Sequence, residues 1–156
     1  MLKVITLGDP RLRERSVVVD PLEVRGLVKH MFQTMYAEEG IGLAAVQVGQ
    51  LLRVFITKVG DDPERVYINP ELIGTSIEEE TSEEGCLSIP GVRADVTRSA
   101  NVSVQATGLN GRAFRVNAQG LLARAIQHEL DHLNGVLFVD YLSKHARDEL
   151  LANYER

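Results

Sequence analysis

Gly120-Leu121-Leu122-Ala123-Arg124-Ala125-Ile126-Gln127-His128-Glu129-Leu130-Asp131-His132-Leu133-Asn134-Gly135 is the stretch on which the reading of this chain turns. Leu121, Leu122, Ala125, Ile126 and Leu133 fall on or near one face at helical spacing, and Asn134-Gly135 supplies a stop. Within that helix His128 and His132 stand four residues apart, so both imidazoles leave on one side, one turn from each other, with Glu129 beside them. Two neutral imidazoles so placed can share a cation, and the adjacent carboxylate can act as a general base on water held there. The alternative is a set of solvated or hydrogen-bonded helix residues.

A catalytic metal needs a third protein ligand. In the H-E-x-x-H-x-x-G-x-x-H peptidases it is a histidine six residues after the second, but here that position is Phe138, which cannot coordinate. The third donor must come from elsewhere: Cys86, the nearby glutamates or Glu149. The setting favours Cys86, the single cysteine, because Glu84-Gly85-Cys86-Leu87-Ser88 places it in a glycine-containing turn before Ile89-Pro90-Gly91. By itself a lone cysteine reads as a buried, inert thiol. The run Gly40-Ile41-Gly42-Leu43-Ala44-Ala45-Val46-Gln47-Val48-Gly49 is rich in small residues that let other backbone approach closely, and Gln47 could donate to a developing oxyanion. Without a ligand, the same run is a helix exit followed by a tight loop.

Asp20-Pro21-Leu22-Glu23 reads as an N-cap, a proline at the first helical position and a capping-box glutamate. The stripe Val24, Leu27, Val28, Met31, Phe32, Met35 then predicts a helix running to Gly40. Between about Leu51 and Asn117 the pattern becomes β-like, with runs at Leu52/Val54/Ile56, Val66/Ile68 and Val102/Val104/Ala106 and turns at Asp61-Asp62-Pro63 and Asn110-Gly111. Ser143 to Tyr154 predicts a short terminal helix packing through Leu150 and Leu151. There is no repeat, low-complexity segment or linker, so residues 1–156 are expected to pack as a single domain.

A net charge of −5 without a basic run or aromatic platform argues against nucleic acid as substrate. No stretch approaches the roughly 20 apolar residues of a membrane span, and the early Gly8-Asp9-Pro10 turn interrupts any secretory signal. A cytoplasmic location, or an organelle matrix, is the expectation.

Gly40 to Gln47, Glu84 to Ser88 and Gln127 to His132 together resemble, in order, the G-x-G-x-A-A-x-Q, E-G-C-x-S and Q-H-E-x-D-H motifs of the peptide deformylase family. Asp9-Pro10-Arg11-Leu12-Arg13 and Leu137 to Ser143 are similar to that family too, and the length suits its compact bacterial or organellar type. The resemblance implies a metallohydrolase that removes the formyl group from the N-terminal formylmethionine of nascent polypeptides. It implies Cys86, His128 and His132 as ligands of one divalent metal, Glu129 as the base, and Gln47 with the Leu87 backbone N–H as oxyanion donors. Ile41, Gly42, Leu121 and Ala125 match positions of the peptide site, and Arg93 matches an arginine that contacts substrate. Iron(II) is favoured in the cell, although the ligand set also suits zinc, nickel or cobalt. Thiolate ligation then exposes the site to inactivation by oxidation.

Two departures stand out. Arg124 and Ser82 replace residues that are apolar in some relatives, so the pocket rim is expected to be more polar here. After Ser143 the chain lacks the basic tail that some relatives use in transient contact with the ribosome. The expected fold is α+β, with antiparallel β-sheets around a central metal-binding helix. The competing functions are a zinc endopeptidase using a different third ligand, such as Glu149, and a non-catalytic peptide-binding protein with a structural metal. Glu129 argues against the latter, since a structural site has no use for a base.

Overall fold

The computed structural model describes residues 2–154. Five antiparallel strands form one sheet in the order β1-β2-β3-β6-β7: β1 (Gly42–Ala44), β2 (Val54–Thr57), β3 (Arg65–Thr75), β6 (Asn101–Thr107) and β7 (Ala113–Gln119). Strands β4 (Glu79–Cys86) and β5 (Ile89–Ser99) pair only with each other, as a separate hairpin. The helices are α1 (Arg25–Ala37), α2 (Gly120–Leu133) and α3 (Lys144–Tyr154). The expected α+β architecture is what the chain adopts.

All four residues of β2 are buried, because this strand has a helix on each face. Val54 and Ile56 join Val28, Met31 and Met35 of α1 in one apolar cluster. Phe55 turns the other way, stacks on Tyr67 at 4.2 Å between ring centroids, and meets Ile126, Leu130 and Leu133 of α2. A third cluster joins the hairpin, through Ile89, Val92 and Val96, to Leu137, Phe138 and Val139 of the segment that follows α2, and polar ties from Arg98 to Asp131 and from Arg124 to Val96 O hold the hairpin to α2 itself. Nine of the fourteen residues of α2 are consequently buried, four of them polar or charged. A helix so enclosed has no solvated face on which to leave His128 and Glu129, which excludes the reading of these as surface residues.

The ends of α2 and α1 show how local chemistry fixes the site. At the end of α2 the Val136 N–H donates to Asp131 O (2.9 Å) and the Gly135 N–H to His132 O (3.2 Å), with Gly135 left-handed at φ 76°. This is a Schellman closure, as Asn134-Gly135 predicts. In α1 the left-handed position is Glu39 (φ 58°), and Gly40 has another use: a Cβ there would lie 2.9 Å from the Leu87 side chain.

The start of α1 departs from the sequence expectation. Asp20 does accept a hydrogen bond from Leu22 N (2.9 Å), but it caps a separate 3-10 turn, Pro21–Glu23, and α1 begins at Arg25. Cys86 likewise is the last residue of a strand, and the turn follows it. Leu52 lies before β2, in an isolated parallel bridge with Val17. Gly40 to Gly49 contains a short strand, β1, and a 3-10 turn at Ala45–Val48.

Candidate metal centre and cleft

His128 and His132 project from successive turns of α2 with their Nε2 atoms 3.2 Å apart, and Cys86 at the end of β4 brings Sγ to 3.3 Å from His132 Nε2. These three donor atoms lie within 4.8 Å of one another, the one such His/Cys/Asp/Glu group among the described residues. The two rings cannot both be protonated at Nε2 when those atoms face each other. Burial opposes charge on His128, but hydrogen bonds to Cys86 and Glu84 outweigh it and hold that ring well above the usual histidine range; burial and the charge on His128 push His132 well below it. Two imidazole nitrogens and a thiol sulfur that converge in a buried site are a fitting donor set for a divalent transition ion. Neither the glutamates near Cys86 nor Glu149, which is exposed on α3 beside His145, belongs to this cluster.

His128 is oriented from behind. Its Nδ1 lies 3.0 Å from Glu84 Oε1, which leaves Nε2 to face the cluster. Glu84 is itself buried and accepts from Arg98 Nε (2.5 Å), Arg98 Nη2 (2.9 Å) and Arg124 Nη1 (2.6 Å). Burial alone would raise its carboxyl, but His128 and Arg98 more than compensate and hold it down at about 2. Arg98 continues to Asp131 (2.9 Å), which also accepts from Tyr141 Oη at 2.7 Å. This network carried little sequence signal: only its proximity to the Gly85-Cys86 pair hinted that Glu84 had a role.

Glu129 stands beside the cluster, buried, with Oε1 lacking a hydrogen-bond partner among the described residues. Burial pushes it up to about 7, against the opposing pull of His128 and Arg98. Its other oxygen lies so close to β1 that a Cβ on Gly42 would come within 2.7 Å of it. Gln47 is fixed by Ala44 N, which donates to Oε1 (2.9 Å), while Nε2 points to Ser88 Oγ (3.1 Å) and Cys86 Sγ (3.5 Å).

Ile41, Gly42, Leu121, Ala125, Arg93 and Leu87 all line one cleft of about 720 Å³ that opens onto Gln47, Cys86, His128 and Glu129. Ile41 and Leu121 are exposed apolar side chains at its edges, whereas Ala125 is buried. Arg93 lies across Gly85 and is paired with Glu83 at 2.7 Å, both side chains exposed. Of the two residues expected to make the rim more polar, Arg124 does line the cleft and Ser82 does not. The Arg124 guanidinium is buried and engaged by Glu84, Val96 O and Glu80 O.

Comparison with known proteins agrees with this geometry. The family model described as polypeptide deformylase matches residues 1–148. The peptide deformylase of Bradyrhizobium diazoefficiens is 46% identical over 164 aligned positions, covering 99% of this chain and 94% of the relative. Among solved structures, peptide deformylase from Ehrlichia chaffeensis in complex with actinonin aligns at a TM-score of 0.96 with 39% identity, covering 99% of this chain and 96% of that one. The Synechococcus elongatus peptide deformylase in complex with actinonin aligns at 0.93 with 44% identity, covering 99% and 86%.

Proposed function

The chain belongs to the polypeptide deformylase family, and on that premise we propose that it hydrolyses the N-terminal formamide of formylmethionyl nascent polypeptides, releasing formate. Cys86, His128 and His132 would hold one divalent metal, whose chemistry is to acidify water and polarise the formyl carbonyl. The observation that carries the reading is the convergence of those three donor atoms beside a buried carboxylate with an unengaged oxygen.

Each of the chain's own groups has a task. Glu129, desolvated and poised near neutrality, takes a proton from water at the site and returns it to the departing amine. Gln47 offers Nε2, and Leu87 its backbone N–H, to the oxygen on which negative charge develops; a preorganised donor of this kind is worth roughly 3 kcal/mol. The cleft takes the peptide beside Ile41 and Gly42, with the methionine side chain among Leu121 and Ala125 and Arg93 at the outer end. The Arg124 charge is already neutralised by Glu84, so it does not make this pocket hostile to an apolar side chain.

The test is formate release from an N-formylmethionyl peptide by protein prepared without oxygen. Absence of release from metal-loaded protein, with cleavage of unformylated peptides instead, would favour the endopeptidase reading. Iron(II) is the proposed working metal, and the setting is the emerging nascent chain in the cytoplasm or an organelle matrix, any transient ribosome contact being made without the basic tail that some relatives use. An iron-loaded sample should lose activity over hours in air as iron or Cys86 is oxidised; full activity with iron retained would exclude iron as the working ion.

Gly42 supplies a sharper check on Glu129. In Gly42→Ala the new methyl would displace the Glu129 carboxylate, the end of a flexible side chain, without disturbing the fold. Turnover should fall about 10²-fold, the usual cost of misplacing a reacting group by an ångström, with metal content unchanged. Unaltered turnover would show that Glu129 does not act from the position seen here.

A further inference from the structure

The hairpin that ends in Cys86 shares no strand pairing with the five-stranded sheet, and a two-stranded hairpin is marginal on its own. Backbone hydrogen bonds continue into its base, from Ser76 N to Asn101 O and from Ala100 N to Glu78 O (both 2.9 Å), but side chains make its ties to α2. Gln127 of α2 fastens β5, donating to Ser99 O (2.9 Å) and accepting from Ser99 N (3.2 Å). Arg98 ties β5 back to Asp131.

Arg124 does something different. It lies one helical turn before His128, so both side chains leave the same face of α2 and converge on opposite oxygens of Glu84. Its guanidinium also donates from Nη2 to Glu80 O (2.8 Å), four residues earlier on β4, and from Nη1 to Val96 O on β5 (2.8 Å). One helical side chain thus grips the Cys86-bearing strand at two points and its partner strand at a third. It also balances charge: Glu84 and Asp131 together face Arg98 and Arg124, and Arg98 alone would leave buried Glu84 and half-buried Asp131 sharing one guanidinium.

We propose that Arg124 is a positioning residue for the thiol ligand: acting from the helix that carries both histidines, it sets where Cys86 Sγ stands against their nitrogens. The proposal rests on the assignment of Cys86, His128 and His132 as ligands. It assigns a metal-site role to a residue that the cleft uses only as wall.

Cobalt(II) is the probe, because a thiolate-to-cobalt charge-transfer band reports the Cys86 bond separately from the imidazoles. Arg124→Met, which keeps the stem and removes the donors, should release cobalt to excess chelator at least about 10-fold faster than wild type, within the 10- to 100-fold range for groups that orient metal ligands. Its thiolate band should be weakened. Arg124→Lys, with one ammonium for three acceptors, should fall between the two. Wild-type release and an undiminished band in both variants would overturn the proposal. So would a lowered melting temperature with release and band unchanged, which would mark Arg124 as a structural tie only. If the Met variant does not fold, the Lys variant decides by the same two readouts. Failure of the ligand assignment is distinguishable: wild type would show no thiolate band, and Cys86→Ala would hold cobalt as tightly as wild type.

Discussion

Replacing Glu129 with Ala is expected to reduce formate release by about 10²–10⁴-fold, the usual contribution of a general acid–base group, while the protein keeps its metal. The structure separates the two effects. Glu129 lies outside the donor cluster, and Oε1 has no hydrogen-bond partner among the described residues. The side chain is therefore not among the groups that hold the site together. A buried carboxylate with an unengaged oxygen is a cost to folding that Ala removes, so the melting temperature should be unchanged or higher. Steady-state kinetics on a formylmethionyl peptide, with metal analysis of the same samples, checks all three statements. Activity within tenfold of wild type at full occupancy would remove Glu129 from its role.

Cys86→Ala is the second large effect, and it acts on the ion first. In structural zinc sites with four protein ligands roughly 10–16 kcal/mol of binding is shared among the four, so losing one of the three here should weaken affinity on the order of 10²–10³-fold, and activity at ordinary metal concentrations should go with it. The fold should survive. Cys86 is only half-buried, and the hairpin keeps its apolar contacts through Ile89, Val92 and Val96 and its ion pairs through Glu84. Competition titration against a chelator gives the affinity. Undiminished binding would return the third ligand to the open list and weaken the distinction from a peptidase.

What the sequence made legible was local. The spacing of His128, Glu129 and His132 needs only helical periodicity, and the closure at Asn134-Gly135 needs only glycine's access to left-handed backbone. The helix–hairpin interface was hidden. Strand β4 is exposed along Glu79 to Glu83 and shows no alternation of burial, so a glutamate-rich strand looks like a polar loop. Glu84, Arg98 and Arg124 are charges, which sequence reasoning assigns to the surface by default, yet all three are buried and satisfy one another. At Asp20-Pro21 the capping signal was real but served a 3-10 turn, because local chemistry marks where a turn can begin and tertiary packing decides whether an α-helix follows at once. The role of Gly40 was obscured in the same way, since its need for smallness comes from Leu87, far along the chain.

The separateness of the hairpin also bears on chain entropy. A cation bridging Cys86 and His128 would close a loop of 42 residues (128 − 86) between a strand of the hairpin and a helix with which it shares no strand pairing. In the unfolded chain, holding those ends together is a loop-closure cost that grows only slowly with length. In the folded protein the side-chain ties across α2 have already met that cost before any ion arrives. The ion would then act on the hairpin as a reversible cross-link, in the manner of a disulfide. Its departure would show first as faster amide exchange along β4 and β5, with the five-stranded sheet still closed to solvent.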